Sequence, residues 1–423
     1  MKKIVRLLAG FLAAAQLFIF TGCSKTENAL SDTAKTFPQA KISAEALVSG
    51  EKQTGSDKLD DDTIQEGTLA IDDFTVRLLQ QSISDKNILL SPLSTLCSLT
   101  MAMNGGKGET LSQMEEFLGD RDLLNSFLST VSNLCTDDQL HLANSVWFRD
   151  TEELAVEKDF LTKAERFYGA SVYKAPFDDT TLEDINHWAS NKTNGMVQDI
   201  LGQIDSLTMM YLINAVSFDA KWEEKYEKKQ IKSETFFTED GIERTVRMMY
   251  SEEENYLDGE NAQGFLKYYA GKRYGFAALV PTNGMSMSDF IASLDGKALY
   301  KILNSQFSTT LEVSLPKFTA EYEANLQKSL QQLGMTDAFA EGIADFTGIA
   351  TYHQQSLRMG PVLHKTYLEL DEQGTKAAAS TAAEMRTSCE PMQISLNRPF
   401  LYMIIDTYYK VPVFIGTMMD PGE

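Results

Sequence analysis

The residues that could do covalent or metal chemistry are few in this chain, and their spacing matches no common enzyme motif. The four histidines are His141, His187, His353 and His364, and none has a metal-ligand partner at helical spacing. The sequence contains no Gly-x-Ser-x-Gly elbow, no Walker loop, no Gly-x-Gly-x-x-Gly and no His-Glu-x-x-His. A catalytic triad assembled from distant residues stays open, because triads are recognised by geometry. We expect no enzyme activity, no metal and no other cofactor.

A tract of small residues near the C-terminus, residues 374–383, points to a different chemistry. With the period of two that a β-strand imposes, one of its faces carries only small side chains, namely Thr375, Ala377, Ala379, Thr381 and Ala383. Such a strand could slip between strands that are already packed, and Gly374 could act as its hinge. A flexible linker or an alanine-rich helix is the alternative. Two strand-like runs, residues 399–406 and 411–418, follow the tract, so we predict a long exposed loop inside a domain.

This tract and nine further segments occur in an order that resembles the serpin family over most of the chain. The segments are residues 87–94, 105–110, 142–145, 185–195, 212–222, 315–318, 333–334, 344–349, 372–383 and 397–400. The resemblance implies the α+β serpin fold. That fold has a large central, mostly antiparallel β-sheet A, sheets B and C, about eight or nine helices and an exposed reactive-centre loop, which here would span about residues 372–397.

The resemblance also implies roles for individual residues. The hinge would be formed by residues at the entrance of the loop, namely Glu372, Gly374, Thr375, Ala377, Ala378, Ala379, Thr381 and Ala383. A polar cluster called the shutter would lie beneath the two strands that part, and its members would be Ser91, Ser94, Asn214 and His364. At the top of the central sheet, the breach, Trp222 would pack beneath an ion pair of Lys317 and Glu372.

The mechanism that the resemblance implies is suicide inhibition of a serine protease. The protease cuts the loop and becomes acylated, and the freed hinge then enters the central sheet before the acyl bond is hydrolysed. The inward face of the hinge supports this mechanism, because it carries neither proline nor charge. An unpaired charge there would cost several kcal/mol on burial.

The position of the reactive bond follows from the usual length of the family's loop. Counting forward from Glu372 and backward from Phe400 both place the bond between Ser388 and Cys389, with Thr387–Ser388 as the alternative. A small residue before the bond suits elastase-like or subtilisin-like proteases. Cleavage after Arg386 would suit a trypsin-like protease, but it would shorten the insertable loop.

Other function classes stay open at this point. One is a non-inhibitory surface serpin that acts as a binding protein, although proline, charged or bulky residues would then be expected at inward hinge positions. Another is an unrelated lipoprotein binding module. A papain-like cysteine protease as target is not separable from a serine protease by sequence.

The N-terminal residues 1–22 have the pattern of an export signal, with Lys2, Lys3 and Arg6 before an apolar run. The junction before Cys23 resembles a bacterial lipobox, which implies lipid attachment at Cys23; an ordinary cleaved signal is the alternative. Residues 23–62 would form a flexible tether, and the domain would span residues 63–423. We therefore expect an exported protein, anchored at the outer face of a bacterial cell membrane or extracellular.

Charge and the remaining cysteines limit the partners. The formal net charge of −22 argues against a nucleic-acid partner, and we expect a monomer. Cys97, Cys135 and Cys389 show neither metal nor redox spacing. Cys97 and Cys135 are predicted to be packed thiols, whereas Cys389 would lie exposed in the loop.

Overall fold

The computed structural model describes residues 39–48, 50, 59–134, 139–375 and 392–422. Its α-helices are α1 (Asp61–Ser82), α2 (Pro92–Met103), α3 (Gly108–Leu118), α4 (Arg121–Leu134), α5 (Lys158–Tyr168), α6 (Asp179–Lys192), α7 (Met287–Ser293), α8 (Gly296–Asn304) and α9 (Gln327–Gln332). The first ten strands are β1 (Glu45–Val48), β2 (Ile88–Leu90), β3 (Leu140–Arg149), β4 (Leu154–Val156), β5 (Ser171–Ala175), β6 (Met210–Phe218), β7 (Ala220–Lys221), β8 (Ile231–Phe237), β9 (Glu243–Gly259) and β10 (Ala262–Tyr268). The others are β11 (Tyr274–Pro281), β12 (Phe307–Pro316), β13 (Phe318–Asn325), β14 (Ala350–Tyr352), β15 (Gln355–Ser356), β16 (Leu363–Leu370), β17 (Gly374–Thr375), β18 (Met392–Ser395), β19 (Phe400–Asp406) and β20 (Val411–Met418).

Local sequence explains where the first two helices begin. The Asp60 carboxylate accepts a hydrogen bond from Thr63 N at 2.8 Å and caps α1, so this helix starts slightly before the predicted boundary at Thr63. Phe74 and Leu78, four residues apart on α1, are fully buried, which is the spacing of an apolar helix face turned to the core. Ser91 caps α2, and Pro92 occupies its first turn, where a missing N–H costs nothing.

The central sheet consists of two blocks of strands. One block has the order β1-β5-β3-β6, in which only the β3–β5 pair is parallel. The other is the antiparallel pair β13-β16. Among the described residues, β6 and β16 are neighbours but belong to separate sheets. A seam therefore runs between the two blocks.

A nine-stranded sheet forms the other large layer of the fold. Its order is β18-β12-β9-β10-β11-β19-β20-β2, with β8 paired to β9. The strands β19 and β20 are buried along their whole length. Their sequences are nearly continuous apolar runs, which is the pattern of strands that are covered on both faces. Cys97 on α2 is also buried, in agreement with the prediction for this thiol.

The predicted tether is wrong for residues 39–48. Strand β1 pairs with the edge strand β5, in the register Glu45 opposite Lys174. Just before it, the Asp184 carboxylate accepts hydrogen bonds from Ser43 N at 2.9 Å, Ser43 Oγ at 2.7 Å and Ala44 N at 2.8 Å. These polar contacts, rather than a wide apolar face, fix the segment, which explains why its sequence resembles a linker.

Candidate functional site

The hinge begins with a sharp turn at the end of β16. Asp371 N donates to Gly374 O at 3.0 Å, and Gly374 N donates to Asp371 O at 3.3 Å. The chain then continues as β17, which pairs antiparallel with β7 through Gly374–Lys221 and Thr375–Ala220. The sequence predicted a strand that had not yet formed, but its first two residues are already paired. The first residues of the tract thus run antiparallel to β7, the short strand that directly follows β6.

Only glycine fits at the turn position 374. Gly374 is buried and has a φ of +125°, which side chains of L-residues rarely allow. A Cβ atom there would lie 2.4 Å from Ala220 O and 2.5 Å from Trp222 N. Both obstacles are backbone atoms, so they cannot move aside as a flexible side chain could. Gly374 therefore allows the close approach of the hinge to the β7 backbone.

The predicted ion pair of the breach is present. Lys317 and Glu372 form a salt bridge, and their side chains are 28% and 29% exposed. Lys317 lies between β12 and β13, and its N–H donates to Arg247 O at 2.9 Å. An ion pair with this exposure contributes at most about 1 kcal/mol to stability. Its main effect is positional, because it ties the turn after β16 to the junction of β12 and β13.

Trp222 lies beneath this turn, as predicted, and binds the turn's backbone. Trp222 N donates to Gln373 O at 3.0 Å, and Nε1 donates to Asp371 O at 2.9 Å. Tyr226 N donates to the intervening carbonyl, that of Glu372, at 3.1 Å. Three successive carbonyls of the turn therefore each receive a donor from residues 222–226. Sequence reasoning missed Tyr226, because a backbone N–H leaves no signature in the residue type.

The indole of Trp222 is held from the other side by aromatic packing. It is 1% exposed and stacks on Tyr269, with ring centroids 4.4 Å apart and an interplanar angle of 10°. Phe276 contacts it edge-on at 6.0 Å. Stacked and edge-on arrangements are the favourable geometries for aromatic pairs. The donor nitrogen thus has a fixed position under the hinge.

The four predicted shutter residues form one hydrogen-bonded chain. Ser91 N donates to His364 Nε2 at 3.2 Å, and Ser94 N donates to Ser91 Oγ at 3.4 Å. Ser94 Oγ then donates to Asn214 Oδ1. Ser91 and Ser94 belong to the start of α2, whereas Asn214 and His364 lie on β6 and β16. The chain therefore joins the two strands on either side of the seam.

His364 is neutral in this setting. Burial lowers the pKa of its imidazole to about 4, although a hydrogen bond with the Leu89 backbone partly opposes the shift. Because Nε2 accepts the Ser91 N–H, protonation at this nitrogen would break the link to α2. The hydrogen bonds that link the shutter residues are thus sensitive to acid.

The polar chain extends further than the sequence indicated. Asn214 Nδ2 donates to Asn144 Oδ1 at 2.8 Å, and Asn144 Nδ2 donates to Tyr168 O at 3.1 Å. Asn144 lies on β3 directly opposite Asn214. It belongs to the segment 142–145 that supported the family resemblance, but no role had been assigned to it. Facing asparagines on paired strands are the signal that could have identified it.

Several predicted functional residues lie outside the described residues. They are the reactive-bond residues Thr387, Ser388 and Cys389, the hinge residues from Ala377 to Ala383, and Cys23. In the part of the chain that the structure describes, no group of three or more His, Cys, Asp or Glu side chains could hold a metal ion. None of the helices in that part is long and apolar enough to cross a bilayer.

Comparisons with known proteins agree with this geometry. The family model described as "Serpin (serine protease inhibitor)" matches residues 69–421. The chain is 30% identical to human Serpin B8 over 381 residues, which is 86% of this chain and all of the relative. It is 38% identical to the thermophilic serpin tengpin in its native state, with a TM-score of 0.81 and coverage of 89% of this chain and 99% of tengpin.

Human thyroxine-binding globulin in complex with thyroxine has a similar fold, at a TM-score of 0.75 and 23% identity, with coverage of 85% of this chain and all of that one. This likeness concerns the fold alone. Together with the nine α-helices of the described residues and the sheets above, these matches confirm the predicted α+β serpin fold. The chain therefore belongs to the serpin family, whose matching model is described as that of a serine protease inhibitor.

Proposed function

We propose that this protein inhibits serine proteases by loop insertion, and that its targets are elastase-like or subtilisin-like. One observation supports insertion above the others. The hinge enters at the top of the seam between β6 and β16, and its first two residues already pair antiparallel with β7. Further insertion would extend this pairing along β6.

The covalent step uses the chemistry of the target protease. The protease's serine Oγ attacks the carbonyl carbon of Ser388 and forms an ester, while the amine of Cys389 takes up a proton and leaves as a new N-terminus. Water would normally hydrolyse this ester. If the hinge enters the seam first, the attached protease is moved and distorted, and the ester survives.

Opening the seam requires a rearrangement of the hydrogen-bonded chain from Ser94 to Asn214. The bond from Trp222 N to Gln373 O can stay in place, because it continues the pairing of Gly374 with Lys221 that insertion would extend. The shutter therefore holds the sheet closed before cleavage and yields after it.

The experiment that tests this function is incubation of the purified protein with subtilisin, pancreatic elastase, trypsin and papain. A band that survives denaturing electrophoresis at the summed mass, together with a released peptide starting at Cys389, supports the proposal. Cleavage by every protease without such a band would favour a non-inhibitory binding protein. A stable complex with trypsin or papain alone would reassign the target.

We also propose that the protein is exported and anchored to the membrane by a lipid on Cys23. The basic start, the apolar run and the junction before Cys23 support this location. The variant Cys23→Ala is expected to move from the membrane fraction to the aqueous fraction. A mature wild-type N-terminus without lipid would contradict the anchor.

A further inference from the structure

A reciprocal pair of buried asparagines joins the end of α2 to α4. Asn104 Nδ2 donates to Asn125 Oδ1 at 2.8 Å, and Asn125 Nδ2 donates to Asn104 Oδ1 at 2.8 Å. The two residues are 8% and 2% exposed. Asn104 Nδ2 also donates to Thr100 O at 3.0 Å. Because this carbonyl can only accept, the orientation of both amides is fixed.

Tyr168, at the C-terminal end of α5, places its hydroxyl on this pair. The residue is 4% exposed, and its hydroxyl donates to Asn125 Oδ1 at 2.6 Å. Burial raises the pKa of the hydroxyl well above its ordinary value, so the group keeps its proton and donates. Asn125 Oδ1 thus accepts two hydrogen bonds, which uses both of its lone pairs.

The backbone of the same tyrosine belongs to the β1-β5-β3-β6 block. Only Gly169 and Ala170 separate Tyr168 from β5. The Tyr168 carbonyl also accepts the hydrogen bond from Asn144 Nδ2 on β3. Tyr168 is therefore attached to two strands of the block, and its hydroxyl connects the block to α2 and α4 through Asn125.

Two hydrogen-bonded bridges thus attach the block to α2. The first bridge is the shutter bond from Ser94 Oγ to Asn214 Oδ1. The second bridge is the Tyr168 hydroxyl on the Asn104–Asn125 pair. Ser94 and Asn104 lie near opposite ends of α2, which has 12 residues and is about 18 Å long. Bonds at two separated points resist rotation of the block as well as its translation.

The other parts around the seam are bound to the nine-stranded sheet. Thr366 Oγ1 on β16 donates to Leu89 O on β2 at 2.7 Å. Ser91 Oγ, at the start of α2, donates to Val413 O on β20 at 2.9 Å. Both β2 and β20 belong to that sheet, so β16 and α2 share one support.

This arrangement indicates which part has to move when the seam opens. An inserted strand would need β6 and β16 to move apart by about 4.8 Å, which is the spacing of neighbouring strands. Because β16 and α2 share a support, we expect the β1-β5-β3-β6 block to make this movement. A hydrogen bond cannot stretch by several ångströms, so both bridges would have to break.

Global stability does not explain the second bridge well. Apolar side chains of the same shape can replace both partners of a buried hydrogen bond with little loss of stability. What a satisfied polar network provides is one defined arrangement of the parts that it joins. Here those parts are the movable block and the helices that support it.

We propose that the second bridge holds the seam shut together with the shutter and sets the rate at which a strand can enter. Asn104, Asn125 and Tyr168 are positioning residues, because they act through the position of the block and do not belong to the reactive loop. The inference rests on the proposed insertion mechanism and adds three residues that control its speed.

The test measures the entry of a strand without a protease. The purified protein is incubated with an excess of a synthetic peptide that has the sequence of residues 375–386. The fraction of protein with a raised thermal midpoint is then followed over time. The rate of this uptake reports how readily the seam opens.

The variants separate the second bridge from other buried groups. Tyr168→Phe removes the hydroxyl but keeps the carbonyl that binds Asn144. Asn104→Leu/Asn125→Leu/Tyr168→Phe removes the whole bridge without leaving one of its members unpaired. Tyr402→Phe is the control, because the Tyr402 hydroxyl is also buried but has no hydrogen-bond partner among the described residues.

Both bridge variants are expected to take up the peptide about fivefold faster than the wild type, which corresponds to about 1 kcal/mol, the net contribution of one hydrogen bond. Tyr402→Phe should stay within about twofold of the wild type. A purely structural role would instead lower the thermal midpoints of the intact and the peptide-loaded protein equally and leave the uptake rate unchanged. If Tyr168→Phe alone does not fold, the triple variant decides the question.

Two failures can be told apart. Equal uptake rates in the wild type and both bridge variants would overturn the role of the second bridge while leaving insertion intact. A wild type that takes up no peptide would overturn insertion along this seam, and the role of the second bridge with it.

Discussion

The indole nitrogen of Trp222 donates a hydrogen bond to the backbone carbonyl of Asp371 across 2.9 Å. This contact joins a side chain beneath the central sheet to the last residue before the hinge. Because the same tryptophan also donates through its backbone to Gln373, it grips the turn at both ends. The grip uses only backbone acceptors on the hinge side, so its two hydrogen bonds do not use the side chains of Asp371 and Gln373.

Substitution of Thr375 by arginine is expected to convert the inhibitor into a substrate. The period-two pattern of the sequence makes Thr375 the first residue after Gly374 on the face expected to turn inward, so its side chain should enter the seam before any other. Desolvation of a guanidinium there would cost several kcal/mol and would slow insertion until hydrolysis wins. Denaturing gels should show normal cleavage without a stable complex.

Lys376→Arg is the matched control for Thr375→Arg, because the period-two pattern predicts that position 376 faces outward, and it should inhibit like the wild type. The cleaved Thr375→Arg protein should also lack the large rise in thermal midpoint that insertion gives. Trapping of protease by Thr375→Arg with unchanged stoichiometry would contradict insertion.

The residue before the reactive bond should set specificity. Ser388→Arg is expected to shift trapping from elastase-like or subtilisin-like enzymes to trypsin, because the primary pocket of trypsin takes a basic side chain. Arg386→Ala should leave the main inhibition intact. The mass of the released peptide identifies the bond, and a wild-type peptide that begins at Thr387 would show that cleavage follows Arg386.

Acid should weaken the shutter through His364. The folded pKa of about 4 lies below the ordinary value of 6.5, so the stabilising contribution is complete above pH 6.5 and is lost as the pH falls through 4. Protonation of His364 should lower the free energy of unfolding by about 3 kcal/mol between pH 7 and pH 4. Denaturant unfolding between pH 7 and pH 4 measures it.

His364→Gln should flatten this pH dependence, since an amide oxygen can accept the Ser91 N–H without titrating. His187→Gln, at an exposed position, should retain the wild-type slope. Equal slopes for His364→Gln and the wild type would assign the acid sensitivity to other groups.

Asp72 on α1 is expected to destabilise the protein at neutral pH. Its carboxyl group is fully buried, neither oxygen has a hydrogen-bond partner among the described residues, and burial raises its pKa well above 3.8. A raised carboxyl pKa gives stability that is complete below pH 3.8 and is lost as the pH rises through the folded value.

Asp72→Asn, which keeps the shape of the protonated acid, should therefore raise the free energy of unfolding at pH 7 by about 1–3 kcal/mol. The change near pH 3 should be small. The half-exposed neighbour Asp73, paired with Arg77, is the control, and Asp73→Asn should change stability by less than about 1 kcal/mol. A lower stability of Asp72→Asn at pH 7 would show that the carboxylate has a favourable partner.

The sequence predicted those site residues whose type and position match a segment of the serpin-like order. Lys317, Glu372, Trp222 and the four shutter residues are brought together as expected. The hinge glycine could be identified because no other residue tolerates its φ and its contact with β7.

Other parts could not be predicted, for physical reasons that differ from case to case. The docking of residues 39–48 depends on acceptors of Asp184, which is distant in sequence. The Asn104–Asn125 pair joins two helices whose relative position is known only once they are packed. In the linear sequence, both residues look like ordinary polar residues.

The burial of β19 and β20 has a consequence for the molecule after the loop is cut. These strands belong to the C-terminal fragment, yet they form the interior of the nine-stranded sheet, between β11 and β2. The nicked protein is therefore a noncovalent assembly of two polypeptides. Its unfolding becomes a dissociation, and its refolding, unlike that of the intact chain, becomes second order in protein concentration.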